Sequence, residues 1–253
     1  MSVPDVKIFP HATGLASKTV SEHQDKQDLI FYSGWFCPYV QRTWIVLEER
    51  GIPYQYVEVN PYKKEKHFLE INPKGLVPAV EWKGQALYES LILCEFLEDA
   101  FPSQTPHILP SDPIARGRVR IWVDFISKSV VPAFMRTVMA QEPAKQAESL
   151  QEFYSALRTL MAQVKGPYFA GEEFTLADVA IAPWIVRDYI LRDNRGYDRS
   201  AVGGGWKEYA ERIESRDSLK KTSSDKYTEI YGRYLRDEAM SEAAKAIRAG
   251  RPF

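Results

Sequence analysis

Of the two cysteines in this 253-residue chain, Cys37 is the one placed to do chemistry. It lies in the run Phe36-Cys37-Pro38-Tyr39-Val40, between an apolar β-like stretch, Leu29-Ile30-Phe31-Tyr32, and a helix expected to begin at Pro38. Proline suits the first helical position because its missing N–H would have had no intrahelical acceptor. Cys37 then falls at the cap, where backbone donors and the positive end of the helix dipole converge. A thiol held there is expected to ionise: free cysteine has a pKa near ~8.5, and a helix N-terminus lowers it into the range of about 3.5 to 7.5. Each such unit favours the charged form by about 1.36 kcal/mol. The same Cys-Pro pair also suits a small buried residue at a turn, so the reading depends on the elements around it.

Those elements alternate. The strand Leu29 to Ser33 leads into a helix whose Val40, Trp44 and Leu47 form one apolar stripe, stopped by Gly51. Tyr54 to Val59 reads as a second strand and Lys63 to Glu70 as a short helix. Strand, helix, strand is a βαβ unit, hence a parallel pair with a right-handed crossover. A turn at Asn72-Pro73-Lys74-Gly75 precedes a strand entered at Pro78, which returns through Lys83-Gly84 along Ala86-Leu87-Tyr88, and a helix begins at Ser90. Residues 1–28, polar and without a period, are expected to form an extended N-terminal arm, and 29–100 an α/β domain.

Three prolines mark 101–111 as a linker, and beyond it strands vanish, so that 112–253 is expected to be all helical. Asp112-Pro113 opens a long helix with Ile114, Ile121, Trp122, Phe125 and Ile126 on its apolar side. Leu150, Phe153, Leu157, Leu160, Met161 and Val164 mark another, ending at Gly166-Pro167. Phe174-Thr175-Leu176-Ala177-Asp178-Val179 reads as a capping box with a hydrophobic staple. Trp206, Tyr209, Ala210 and Ile213 repeat the helical spacing, as do Met240, Ala243, Ala244 and Ile247. Gly203-Gly204-Gly205 lacks a preceding strand and the Lys-Ser of a phosphate loop, so it is a flexible connection.

Composition narrows the class. A net charge of −1 with no long run of one sign argues against a nucleic-acid or anionic-membrane partner. The start Met1-Ser2-Val3-Pro4-Asp5 has no apolar signal core and no segment approaches ~18 apolar residues, so a reducing cytoplasm is expected. His11, His23, His67 and His107 are scattered without zinc spacing, and no metal is expected.

An α/β half with cysteine at its first helix cap, a Val-Pro strand entry and a Glu-Ser pair before the next helix, followed by a helical half, resembles the cytosolic glutathione transferases. The segments Phe36 to Thr43, Asn72 to Pro78 and Tyr88 to Ser90 carry the likeness. Cysteine where serine or tyrosine is usual, together with the N-terminal arm, looks like the omega class, and the aromatic-rich second half looks like its fungal branch. The resemblance implies a thioredoxin-like first domain, a helical second domain and a homodimer. It implies a glutathione site at Phe36, Pro38, Lys64, Val77, Pro78, Glu89 and Ser90, with Pro78 cis and Val77 presenting its backbone to the cysteinyl part. Glu89 would pair the γ-glutamyl ammonium, Ser90 would hold its carboxylate at a helix start, and Lys64 would meet the glycyl end, with Lys63 and Lys66 in reach of the same face.

The chemistry then turns on Cys37 standing alone. Val40 occupies the position of the resolving thiol in a Cys-x-x-Cys reductase, so a second glutathione must attack a Cys37–glutathione disulfide. Cys94, between Leu91 and Leu97 at helical spacing, is read as core. Thiol transfer, deglutathionylation and dehydroascorbate reduction follow, with glutathionylated or aromatic small molecules as partners. Conventional conjugation and non-enzymatic carriage of aromatic ligands such as polyphenols are the alternatives. By family position the acceptor pocket would draw on Tyr39, Trp122, Phe125, Trp184 and Arg187, although Trp122 and Phe125 suit a core equally well.

Overall fold

The computed structural model describes residues 10–63 and 65–251. The chain divides into two units, one running through Ile108 and taking in Arg216–Lys226, the other formed by Leu109–Ser215 and the chain from Tyr227 onward.

The first unit contains α1 (Gly14–Glu22), β1 (Leu29–Ser33), α2 (Pro38–Arg50), β2 (Gln55–Glu58), α3 (Lys66–Ile71), β3 (Ala79–Trp82), β4 (Gln85–Tyr88) and α4 (Ser90–Ala100). The strands form one sheet in the order β2-β1-β3-β4. β1 runs parallel to β2, with Phe31 beside Tyr56, and antiparallel to β3, with Phe31 beside Val80; β3 and β4 form the expected hairpin. A parallel pair needs a crossover, and α2 supplies it, which fixes the start of α2 at the C-terminal end of β1. Gly51 takes the left-handed conformation that closes α2, where a Cβ would be strained.

Two features of this unit differ from the sequence reading. The described part of the segment before β1 holds a helix, α1, in place of an extended arm, with Ala16 and Thr19 buried, and residues 1–9 of the expected arm lie outside the described residues. Two small residues three apart make too weak a stripe to register as a period. The helix is held by the distant segment 216–226, to which Thr13 Oγ1 bonds at Ser224 Oγ (2.7 Å) and Thr19 Oγ1 donates at Lys221 O (2.8 Å). Likewise α2 has more than one buried stripe. Gln41, Arg42 and Thr43 are buried with Val40, Trp44 and Leu47; Gln41 Nε2 donates to Thr222 O and Ser223 Oγ, and Thr43 Oγ1 donates to Ser90 O.

The second unit is built from α5 (Pro113–Phe125), a π-helical turn (Ile126–Val130), α6 (Val131–Met139), α7 (Pro143–Met161), α8 (Leu176–Ile185), α9 (Tyr189–Arg195) and α10 (Trp206–Ser215). α11 (Asp217–Lys221) returns to the first unit, and α12 (Tyr227–Leu235) and α13 (Glu242–Arg248) complete the second. Asp112 caps α5 by accepting from Ala115 N at 2.7 Å. The buried stripe of α5 is Val119 and Val123, continued by Ile126 and Val130, whereas Ile114 and Ile121 are 65% and 64% exposed. Both stripes have helical spacing, and spacing alone does not say which one faces the core. α13 begins after Met240, which is exposed, and buries Ala244 and Ala246. α7 ends at Met161, short of Gly166.

Candidate active site

Cys37 is the N-cap of α2, in extended conformation, with Pro38 as the first helical residue. Its amide donates to Gly34 O at 2.9 Å, closing the turn out of β1, and its carbonyl accepts from Gln41 N at 3.1 Å. The thiol is partly exposed and caps no backbone donor; its Sγ lies 3.9 Å from Val77 O. Gly34 permits this approach, because a Cβ there would sit 3.3 Å from both Val59 O and Val77 Cγ2. Phe36 is buried against Trp35 in an edge contact and stacks with Tyr62. Tyr39, on the first turn, lies 5.4 Å from the Arg42 guanidinium.

Val77 and Pro78 are joined by a cis peptide at the entry to β3, and Val77 O faces the Cys37 thiol. Glu89 precedes α4 with φ at +80°, a region that residues with a Cβ rarely adopt. Ser90, the first residue of α4, is buried and its carbonyl accepts from Thr43 Oγ1 at 3.3 Å, tying α4 to α2. Lys64, expected at the glycyl end of the ligand, lies outside the described residues. The first unit thus gathers the Cys37 cap, the Val77-Pro78 turn and the start of α4, each through its own hydrogen bonds.

Three residues that the sequence did not single out shape this region. Lys74 Nζ lies 2.6 Å from Glu89 Oε1, in the place assigned to a ligand ammonium; its number in the Asn-Pro-Lys-Gly turn was visible, its partner was not. Arg42 is fully buried one turn into α2; burial lowers its pKa to about 10, against the pull of Tyr39, Cys94 and Cys37. Glu58, at the end of β2, accepts from Trp35 N at 3.2 Å and from Tyr56 OH at 2.7 Å, bracing the turn that leads to Cys37. Burial pushes its carboxyl up to about 7, opposed by those two bonds. Cys94 is fully buried, and burial pushes its thiol up to about 12 despite Arg42, which makes it core.

The acceptor residues assigned to the second unit divide. Trp122 and Phe125 are half-buried and meet in an edge contact, with Phe169 beyond Trp122. Trp184 and Arg187 are completely buried. Arg187 lies over the Tyr227 ring, 3.8 Å from its centroid, and donates to Pro183 O at 2.7 Å. Aromatic and cationic residues after a strong helix cap read alike whether they line a pocket or fill a core. Among the described residues, no group of His, Cys, Asp or Glu could hold a metal ion, and no helix is long and apolar enough to cross a membrane.

Comparison with known proteins bears on this geometry. Residues 36–100 match the N-terminal domain of glutathione S-transferases and 139–212 the C-terminal domain. Glutathione S-transferase omega-1 of Sus scrofa is 35% identical over 173 residues, which is 67% of this chain and 70% of that one. The crystal structure of glutathione transferase Omega 3C from Trametes versicolor is 65% identical, covers 91% of this chain and all of its own (100%), and superposes with a TM-score of 0.87. Rice GST1 in complex with glutathione is 26% identical over 85% of this chain and 100% of its own, with a TM-score of 0.76.

Proposed function

The chain belongs to the glutathione transferase family, in its omega class, and from that membership and the geometry at Cys37 we propose that it is a glutathione-dependent thiol transferase. The observation that carries this reading is a single, partly exposed thiol at an N-cap, facing Val77 O and lacking a neighbouring thiol. Glutathione lies along the Val77-Pro78 turn, its γ-glutamyl end toward Glu89 and Ser90 and its sulfur toward Cys37. The Cys37 thiolate attacks the glutathionyl sulfur of a mixed disulfide R–S–S–G. A Cys37–glutathione disulfide forms, and the R–S⁻ leaving group takes a proton from water. A second glutathione thiolate attacks the glutathionyl sulfur of that adduct, forming glutathione disulfide and restoring the Cys37 thiolate. Cys94 takes no part, being buried and protonated. Dehydroascorbate reduction by the same thiol and a fungal origin for the sequence extend this reading.

Intact mass after incubation with glutathione disulfide tests it. One glutathione adduct, absent in Cys37→Ser and retained in Cys94→Ala, is the expected result; no adduct on the parent chain would overturn it.

The family's two-fold dimer belongs to the same proposal. Leu76, Leu87 and Ile92 in the first unit and Ile114 and Ile121 in the second are large exposed apolar side chains, and the last two lie two turns apart on one face of α5. Light scattering should give twice the 29.0 kDa chain mass; a monomer across micromolar concentrations would refute it.

A further inference from the structure

We infer that Lys74 is a specificity-determining residue of this site, binding the α-carboxylate of a γ-glutamyl ligand while Glu89 binds its α-ammonium; the inference rests on the glutathione reading above. The two side chains are 54% and 58% exposed, yet Lys74 Nζ and Glu89 Oε1 are 2.6 Å apart. Exposed ion pairs are ordinarily weak, because two long side chains must be ordered to make one contact in water. Here the backbone does much of the ordering, from two separate segments. Buried Asn72 accepts from Lys74 N (3.1 Å) through its side chain and from Gly75 N (2.8 Å) through its carbonyl, and donates to Leu76 O (2.7 Å), which fixes the turn carrying Lys74. Glu89 is set by its positive φ at the start of α4. The Tyr88 ring, 5.2 Å from Nζ, limits the swing of the lysine.

The result is a cation and an anion held side by side at the solvent edge of the site. A ligand ammonium alone meets repulsion from Lys74, and a carboxylate alone meets repulsion from Glu89. A group bearing both charges on one carbon satisfies both, and the α-amino acid head of a γ-glutamyl peptide is such a group. An ammonium carries three protons and a carboxylate has several lone pairs, so the contact between the two side chains leaves each able to bond a ligand as well. The hydrogen bond to Glu89 raises the pKa of Lys74, which keeps it charged.

Calorimetry with three peptides tests the assignment: glutathione, glutaryl-Cys-Gly, which lacks the α-ammonium, and 4-aminobutyryl-Cys-Gly, which lacks the α-carboxylate. Lys74→Met should weaken glutathione and glutaryl-Cys-Gly by about fivefold to tenfold at low salt and tighten 4-aminobutyryl-Cys-Gly, whose ammonium is relieved of the lysine's repulsion. Glu89→Gln should weaken glutathione and 4-aminobutyryl-Cys-Gly and tighten glutaryl-Cys-Gly, and Lys74→Arg should retain most of the parent's glutathione affinity. Unchanged or tighter glutathione binding by Lys74→Met, or an equal loss for all three peptides, would overturn the role of Lys74 while leaving the glutathione reading intact. Failure of the parent chain to bind any of the three would overturn both.

Discussion

Two helix starts in this protein are built from the same backbone geometry and put to opposite uses. At α8, Thr175 and Asp178 form a reciprocal capping box, and Asp178 also accepts from Phe169 N and Tyr209 OH at 2.8 and 2.7 Å. Thr175 and Asp178 are buried, and every one of those donors belongs to the protein itself. At α2, the cap is a partly exposed cysteine whose side chain makes no N-cap hydrogen bond, followed by a proline with no N–H to offer. A thiol is a weaker acceptor than a carboxylate, so a cysteine cap ties up less of a helix end's donor capacity than an aspartate does. One cap is saturated with buried protein donors and adds stability; the other places a partly exposed thiol at the helix start.

Exchanging the two roles should fail in different ways. Cys37→Ser should reduce thiol transfer to background while leaving thermal unfolding nearly unchanged, as measured by a glutathione-coupled assay beside circular dichroism; retained turnover would break the comparison at its first term. Asp178→Ala should leave several buried donors without a partner, each costing about 1–3 kcal/mol, for a total of about 3 kcal/mol or more in denaturant unfolding. Its folded fraction should still form the Cys37 adduct at the parent rate, which a role for α8 in the chemistry would contradict.

Glu58 sharpens the contrast with pH. Its pKa is raised in the folded chain to about 7 from an ordinary 4.5, so between those values the folded state binds its proton more tightly than the unfolded state does. Stability from this group is therefore present at low pH and lost as pH rises through that window, by roughly 1–3 kcal/mol. Glu58→Gln should be more stable than the parent at pH 8 and should show the smaller change between pH 5 and pH 8 in urea unfolding. Equal pH dependence in the two proteins would remove Glu58 from the account. The smallest effect is expected from Cys94→Ala: about 1 kcal/mol lost from a filled core, with thiol transfer intact.

Much of the α2 site could be read directly, because its signals are local: an apolar strand, a cysteine, a proline and a helical stripe ending in glycine. The α8 box was equally legible, since its four residues adjoin in sequence. What escaped depends on contacts between distant segments. Nothing around Lys74 announces Glu89 as its partner, and nothing around Gln41 announces Thr222. α1 leaves little signal in its own residues because those that hold it lie some two hundred positions away. Trp184 and Arg187 show the converse: their types suit a ligand wall, and neither their burial nor the packing of Arg187 on Tyr227 is visible in their sequence spacing. Ile114 and Ile121 show how a correct helix can carry an incorrect face.

The return of residues 216–226 to the first unit also orders events during synthesis. The sheet and α2 leave the ribosome long before the strand of chain that satisfies Gln41 and anchors Thr13 and Thr19. At bacterial-to-eukaryotic elongation rates of about 5–20 residues per second, that interval lasts on the order of ten seconds. Through it the back of α2 and the inner side of α1 remain without their covering, even though the residues around Cys37 are already in the nascent chain. The unit that holds Cys37 is encoded before the segment that closes it, so a truncation before residue 216 would remove its clasp rather than merely shorten a neighbouring domain.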